Sequence, residues 1–107
     1  MPNTRSTTTP CVVFVCVRNA GKSQLAAGLM RRAAGPAVVV DSAGTKAGGT
    51  LNPESVQSLA ELGVDISDQH PRQLTDAMLR SADLVVVLGA EARVGPVPET
   101  AVEVWAI

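Results

Sequence analysis

The sequence predicts an α/β domain of three layers, with a four-stranded parallel sheet between flanking helices. Three observations carry this. Runs of β-formers, Val12-Val13-Phe14-Val15, Val38-Val39-Val40 and Leu84-Val85-Val86-Val87-Leu88, read as strands buried on both faces. Segments with apolar residues at helical spacing lie between them, and strand–helix alternation implies parallel pairing through right-handed crossovers. The length of 107 residues, 46% apolar with 2% aromatic, suits one domain with a core of Val, Leu and Ala.

Residues 1–10 are polar with Pro2 and Pro10 near the ends, and read as a disordered lead-in to a domain over 11–107. The first strand covers Cys11–Cys16. The first helix runs from Lys22 to Ala34, with Leu25, Leu29 and Ala33 as its expected inner stripe, Ala26 and Met30 beside it, and Gly35-Pro36 as its stop. Gly28 is an interior defect that would permit close packing on the sheet. Val38–Val40 is the second strand; it ends in Asp41-Ser42-Ala43-Gly44-Thr45, and the loop Lys46–Leu51 follows with two more glycines. The second helix opens on Asn52 as N-cap, Pro53 at the first helical position and Glu54 in the positive first turn; Val56, Leu59 and Ala60 form its inner face, and Gly63 ends it. Thr75 caps a short third helix reaching about Arg80, with Leu74 and Leu79 spaced for a hydrophobic staple. Leu84–Leu88 is the third strand, Gly89 opens a loop containing Pro96 and Pro98, and Ala101–Ile107 is the fourth strand.

Net charge is −1, which gives no general affinity for nucleic acid or other polyanions, yet the charge is uneven. Residues 1–40 carry Arg5, Arg18, Lys22, Arg31 and Arg32 and no acid, while all ten acidic residues follow. Arg31 and Arg32 are read as complements to a helix C-terminus. No stretch has the ~18 apolar residues of a membrane span and no signal core leads the chain, so a cytoplasmic location is expected. The two cysteines, five apart on one strand, are roughly 16 Å apart on opposite faces. That is too far for a disulfide, so Cys16 is expected to be free and Cys11 a small buried or strand-entry residue.

The stretch Cys16-Val17-Arg18-Asn19-Ala20-Gly21-Lys22-Ser23 sits at the C-terminal end of the first strand and leads into a helix. Ligands of open parallel sheets bind at such ends, where the strand order reverses. The loop lays the backbone N–H groups of Val17, Arg18, Asn19, Ala20 and Gly21 around one point at a helix N-terminus, a site for a tetrahedral oxyanion. Cys16 adds a nucleophile whose thiolate form is favoured by the helix end and by Arg18 and Lys22. The competing nucleotide-loop pattern, Gx₄GK[ST], fails at its first glycine, where residue 16 is cysteine, and the chain is short for such a domain. Asn19 is expected to shape the loop in a left-handed conformation. Ser23 could donate a hydrogen bond to the Cys16 sulfur or simply cap the helix. His70 is read as an exposed loop residue and not as a base or ligand.

The series Phe14-Val15-Cys16-Val17-x-Asn19-Ala20-Gly21-x-Ser23-Gln24, Asp41-Ser42-Ala43-Gly44-Thr45, Leu51-Asn52-Pro53, Gly63-Val64-Asp65-Ile66-Ser67 and Ala82-Asp83-Leu84-Val85-Val86-Val87-Leu88 resembles the low-molecular-weight protein tyrosine phosphatase family, in its arsenate reductase branch. The resemblance implies a flavodoxin-like fold, with Cys16, Lys22 and Ser23 as catalytic residues. Lys22 stands where the family usually has an arginine that clamps the oxyanion with two parallel hydrogen bonds; lysine keeps the charge and loses the fork. This form is similar to a mycothiol-dependent subset. Mycothiol or another low-molecular-weight thiol would then be co-substrate, and a mycoredoxin- or glutaredoxin-like protein the reductant. The resemblance also implies that Asn19 bonds Ser42, and that Asn19, Ser42 and Asp65 could hold a potassium ion.

Two departures from the family matter. Thioredoxin-linked arsenate reductases place two further cysteines after the third strand, and Gly89–Pro98 has none. The family's acid-loop aspartate and last helix would follow a segment like Trp105-Ala106-Ile107, where this sequence stops, so the domain reads as C-terminally incomplete, through either a longer parent chain or natural reduction. The leading expectation is arsenate reduction through Cys16. The alternatives are a phosphotyrosine phosphatase using a phosphocysteine intermediate, and a non-catalytic oxyanion-binding remnant.

Overall fold

Valine-rich strands bury both faces only if helices cover the sheet on both sides, and the architecture follows from that requirement. A computed structural model describes residues 9–89, 91–95 and 100–105. Four strands, β1 (Cys11–Cys16), β2 (Val39–Gly44), β3 (Leu84–Leu88) and β4 (Ala101–Trp105), form one sheet in the order β2-β1-β3-β4. All three pairings are parallel, with Cys16 opposite Gly44 and Phe14 between Ser42 and Val86. The chain passes from β1 to β2 on one side and to β3 on the other. The strand order thus reverses at β1, and Cys16 is its last residue.

Alternation along β1 divides the core. Cys11, Val13 and Val15 join Val85, Val87, Ala82 and Ala92 on one face, against Leu74, Met78 and Leu79 of the segment containing α3 (Asp76–Ser81). Val12 and Phe14 join Val40, Val86 and Leu88 on the other, against Ala26, Ala27 and Met30 of α1 (Lys22–Ala34). Both cysteines are buried, and Cys11 lies in the face opposite Phe14, as the spacing requires. The remaining helix, α2 (Pro53–Glu61), packs on α1.

Helix ends form where their chemistry placed them. The Asn52 side chain accepts from the Glu54 N–H at 2.8 Å and the Thr75 hydroxyl accepts from the Met78 N–H at 3.2 Å. Arg31 donates to the Val40 carbonyl and Arg32 to that of Leu62, so these guanidiniums tie the end of α1 to neighbouring segments.

Several expectations change. Strand β2 begins at Val39, after Val38 has closed the preceding turn, and continues in the ladder through Asp41-Ser42-Ala43-Gly44, which the sequence suggested as the strand's end, because β1 offers partners all the way to Cys16. The buried face of α1 is Ser23, Gln24, Ala27 and Gly28, while Leu29 is 40% exposed and Ala33 is also exposed. The polar start of this helix faces inward because it closes the loop before it. Gly28 makes room for Leu59 of α2 and not for the sheet: a Cβ there would lie 2.8 Å from a Leu59 methyl. Ala60 is exposed, leaving Leu59 as the buried anchor of α2. A single 3₁₀ turn, Gly35–Ala37, follows α1. Most of the expected lead-in, Ala106 and Ile107 of the expected fourth strand, and Pro96 and Pro98 lie outside the described residues. Among the described residues, no helix is long and apolar enough to cross a membrane.

Leu59 is fully buried and is the one buried side chain of α2. Leu59→Ala is expected to cost about 2–4 kcal/mol, through lost transfer energy and the cavity left against Gly28. A urea unfolding midpoint unchanged from that of the parent chain would contradict this packing.

Candidate functional site

The loop from Cys16 to Ser23 is shaped from outside by the chain that follows β2. The Thr45 N–H donates to the Cys16 carbonyl at 3.0 Å, Lys46 to Val17 at 2.8 Å, Gly48 to Arg18 at 3.3 Å and Asn52 to Ala20 at 2.7 Å. A trans peptide points its C=O and N–H in opposite directions. Carbonyls 16, 17, 18 and 20 are held toward residues 45–52, so the N–H groups of residues 17, 18, 19 and 21 face the other way. The Asn19 N–H marks where they converge, because it donates to the Cys16 Sγ at 3.2 Å. Among the described residues, the N–H groups of Val17, Arg18, Ala20 and Gly21 find no acceptor. Those of Lys22 and Ser23 lie in the first turn of α1, where no intrahelical partner exists. A ring of donors at the positive end of a 13-residue helix is an anion cradle.

This shape requires Gly44. A Cβ at that position would stand 2.5 Å from the Val17 carbonyl oxygen and 2.9 Å from the Asn19 nitrogen, both backbone atoms that cannot move aside cheaply. Bare backbone at the end of β2 is thus what lets β1 and its loop come so close.

Asn19 holds the loop from within. It is fully buried with φ +59°, the left-handed conformation expected of it. Its amide nitrogen donates to the Ser23 Oγ at 2.7 Å. Its carbonyl oxygen accepts from the Gln24 side chain at 3.1 Å and from the Arg72 N–H at 2.9 Å. The expected bond between Asn19 and Ser42 is replaced by these three. Ser42 is buried near the end of β2, where its N–H donates to the Asp41 carboxylate. Both acceptor positions of the Asn19 oxygen are thus taken, and that oxygen does not suit a potassium ion. Asp65 is fully exposed and closes on Ser67, whose side chain and N–H hold the carboxyl below its ordinary range. The three residues suggested for potassium do not fit that ion in this arrangement.

Ser23 is a ligand of the sulfur and not a cap, since α1 has no side-chain cap. Its Oγ lies 3.0 Å from the Cys16 Sγ. The oxygen accepts from Asn19, whose amide can only donate, so the hydroxyl proton is free to point at sulfur. Two donors, the Asn19 N–H and the Ser23 hydroxyl, therefore meet at Cys16, an environment suited to negative charge on sulfur.

Lys22 leaves the loop sideways, its ammonium 3.5 Å from the Glu91 carboxylate beyond the end of β3. Arg18 is exposed, with one guanidinium nitrogen beside Gly49. His70 is exposed as expected, although its carbonyl accepts from Gln24 at 3.3 Å. A cavity of about 400 Å³ lies between residues 49–51 and 67–71, and none of residues 16–23 lines it.

Gln24, Arg72, Gly44 and Glu91 shape the site without having been singled out for it. Gln24 and Gly44 fall inside the motif runs, which offered a signal. Arg72 and Glu91 have only their charge and their place in loops. Gln24 donates to both Asn19 oxygens and to His70, while its own Oε1 is buried without a partner among the described residues.

The sequence profile described as "Low molecular weight phosphotyrosine protein phosphatase" matches residues 11–103. An arsenate reductase of Bacillus subtilis is 40% identical over 81 residues, covering 76% of this chain and 58% of that protein. The probable low molecular weight protein-tyrosine-phosphatase EpsP of Ralstonia solanacearum is 39% identical over 80 residues, covering 73% and 54%. Among solved structures, the Corynebacterium glutamicum thioredoxin-dependent arsenate reductase Cg_ArsC1' superposes with a TM-score of 0.86 at 36% identity, covering 95% of this chain and 51% of that one. Another, described as an arsenate reductase in the phosphate binding state, superposes at 0.77 with 29% identity, covering 90% and 75%. The chain spans little more than half the length of these curated relatives.

Two substitutions test the loop. Gly44→Ala is expected to destabilise by about 1–3 kcal/mol through overpacking, and to change the alkylation rate of Cys16 because the loop must shift. Asn19→Gly removes the side-chain bonds at a cost of about 1–3 kcal/mol, and Asn19→Ala should cost about 1 kcal/mol more because alanine resists positive φ. Urea titrations giving equal stabilities for the two Asn19 variants would show that the left-handed backbone is not the strained element.

Proposed function

Because this chain belongs to the low-molecular-weight phosphotyrosine protein phosphatase family, we propose that it reduces arsenate through Cys16. The observation that carries the reading is the Cys16 sulfur, held by two donors at the mouth of an anion cradle whose usual two-pronged arginine is replaced by Lys22. Phosphoryl transfer depends on fixed donors to the equatorial oxygens, and a mobile lysine paired to Glu91 supplies these less well than a guanidinium fork. Reduction by thiols asks chiefly for a reactive sulfur beside a bound oxyanion. The names of relatives, arsenate reductases and phosphatases alike, are compatible with this family chemistry.

In this reading arsenate rests on the N–H groups of residues 17–23, with Lys22 and Arg18 supplying positive charge around it. A small external thiol, for which mycothiol is our candidate, condenses with the bound arsenate, releasing water and forming an S–As(V) bond. The Cys16 thiolate attacks the sulfur of that adduct. The S–As bond breaks, its electron pair stays on arsenic as As(III), and an S–S bond forms between Cys16 and the small thiol. The two electrons gained by arsenic come from the two sulfurs that become the disulfide. A dithiol redoxin then attacks this mixed disulfide and returns Cys16 to its thiolate. An external reductant is supported by the place of Cys11, which lies on the opposite face of the sheet and is not poised to attack a disulfide at Cys16.

Intact-mass and peptide mass spectrometry after incubation with arsenate and mycothiol is expected to show an arsenate-dependent thiol adduct on Cys16, absent without arsenate and absent in Cys16→Ser. Hydrolysis of an aryl phosphate that Cys16→Ser abolishes, with no such adduct, would favour the phosphatase reading. Phosphate binding without either reaction would favour a binding module.

A further inference from the structure

The pair formed by Lys22 and Glu91 is not accounted for by holding the fold together. Both side chains are well exposed, at 49% and 68%, and ion pairs of that kind add little stability. Its placement is specific, however. Lys22 is the first residue of α1, beside the cradle, and Glu91 follows β3, the strand that neighbours β1 on the side opposite β2. Gly89 lies beneath the pair with φ +87°, its N–H bound to the Trp105 carbonyl at the end of β4. A Cβ on Gly89 would stand 2.9 Å from the Glu91 carboxylate and 3.1 Å from the Lys22 ammonium. The two charges therefore meet over bare backbone at the C-terminal rim of the sheet.

We propose that Glu91 is a positioning residue that competes with the oxyanion for Lys22. With the cradle free of anion, the carboxylate draws the ammonium toward the end of β3. A bound oxyanion must share that ammonium with Glu91 or draw it away, and its affinity is lowered by the difference. A lysine suits this exchange, being a compact charge on a flexible stem, whereas an arginine fork would be set in one direction. The competition rests on the oxyanion reading of the loop; the pairing of the two side chains does not.

The test uses two readouts on the whole chain. Lys22 and Lys46 are the only lysines, so acylation of Lys22 relative to exposed Lys46, measured by peptide mass spectrometry, reports how firmly the Lys22 amine is held. Glu91→Gln is expected to raise that ratio. Calorimetric titration with inorganic phosphate at low salt should show binding tightened about two- to fivefold by Glu91→Gln, with the gain shrinking as salt is added. In a Lys22→Gln background the same change should have little effect. An unchanged acylation ratio would overturn the pairing. Equal tightening in the Lys22→Gln background would overturn the competition in favour of plain charge repulsion. Failure of every form to bind phosphate would overturn the oxyanion reading and the competition with it, while the acylation ratio would still decide whether the pair exists.

Discussion

The site depends on outward-facing carbonyls. Four amides of residues 45–52 capture the carbonyls of Cys16, Val17, Arg18 and Ala20, and peptide planarity then turns the intervening N–H groups inward. Asn19 braces the loop from inside through Cys16 and Ser23, but the helix has no side-chain cap and one glycine, Gly21, does not dictate a ring. The chain after β2 is the mould, and it can press so closely only because Gly44 presents no side chain. A second brace enters from residues 70–72, whose main chain is linked to the buried Asn19 side chain through Arg72 and through Gln24. The cradle is thus a product of three separate stretches of sequence.

Charge in this molecule is arranged more narrowly than its net value of −1 suggests. Arg31 and Arg32 are spent on carbonyls at the far end of α1, and Arg72 on the Asp41 carboxylate at 3.0 Å. Of the cations on the loop itself, Arg18 is exposed and Lys22 is engaged by Glu91. The fixed attraction for an anion therefore comes mainly from backbone dipoles and the helix end, with mobile cations around them.

Much of this was legible in the sequence, because strands and caps are set by local chemistry. The runs Cys11–Cys16 and Leu84–Leu88 are strands as read, and Asn52-Pro53-Glu54 and Thr75 begin helices as read. The grouping of Cys16, Asn19 and Ser23 was legible because their spacing brings them together across one turn. The rest depends on contacts between distant residues. Periodicity placed Leu29 and Ala33 inside, yet the start of α1 must face the loop it closes, and this rotates the buried stripe toward Ser23, Gln24 and Ala27. Asp41–Gly44 looked like the end of a strand because it holds polar and small residues, but β1 supplied the ladder that carries β2 on to Gly44. No local pattern indicates that Asn19 would choose Arg72 over Ser42, or that Glu91 would reach Lys22 across 69 residues of sequence.

The amide of Asn52 has two duties. It belongs to the residue that caps α2, and it also holds the Ala20 carbonyl that turns the last part of the loop. Helix α2 is anchored through Leu59, its one buried residue, so its local stability rests on few contacts. Each opening of that helix end releases one wall of the cradle, and each anion that draws the loop amides inward holds the helix closed. Occupancy of the site and local order of α2 are therefore linked quantities, and selection on either one acts on both.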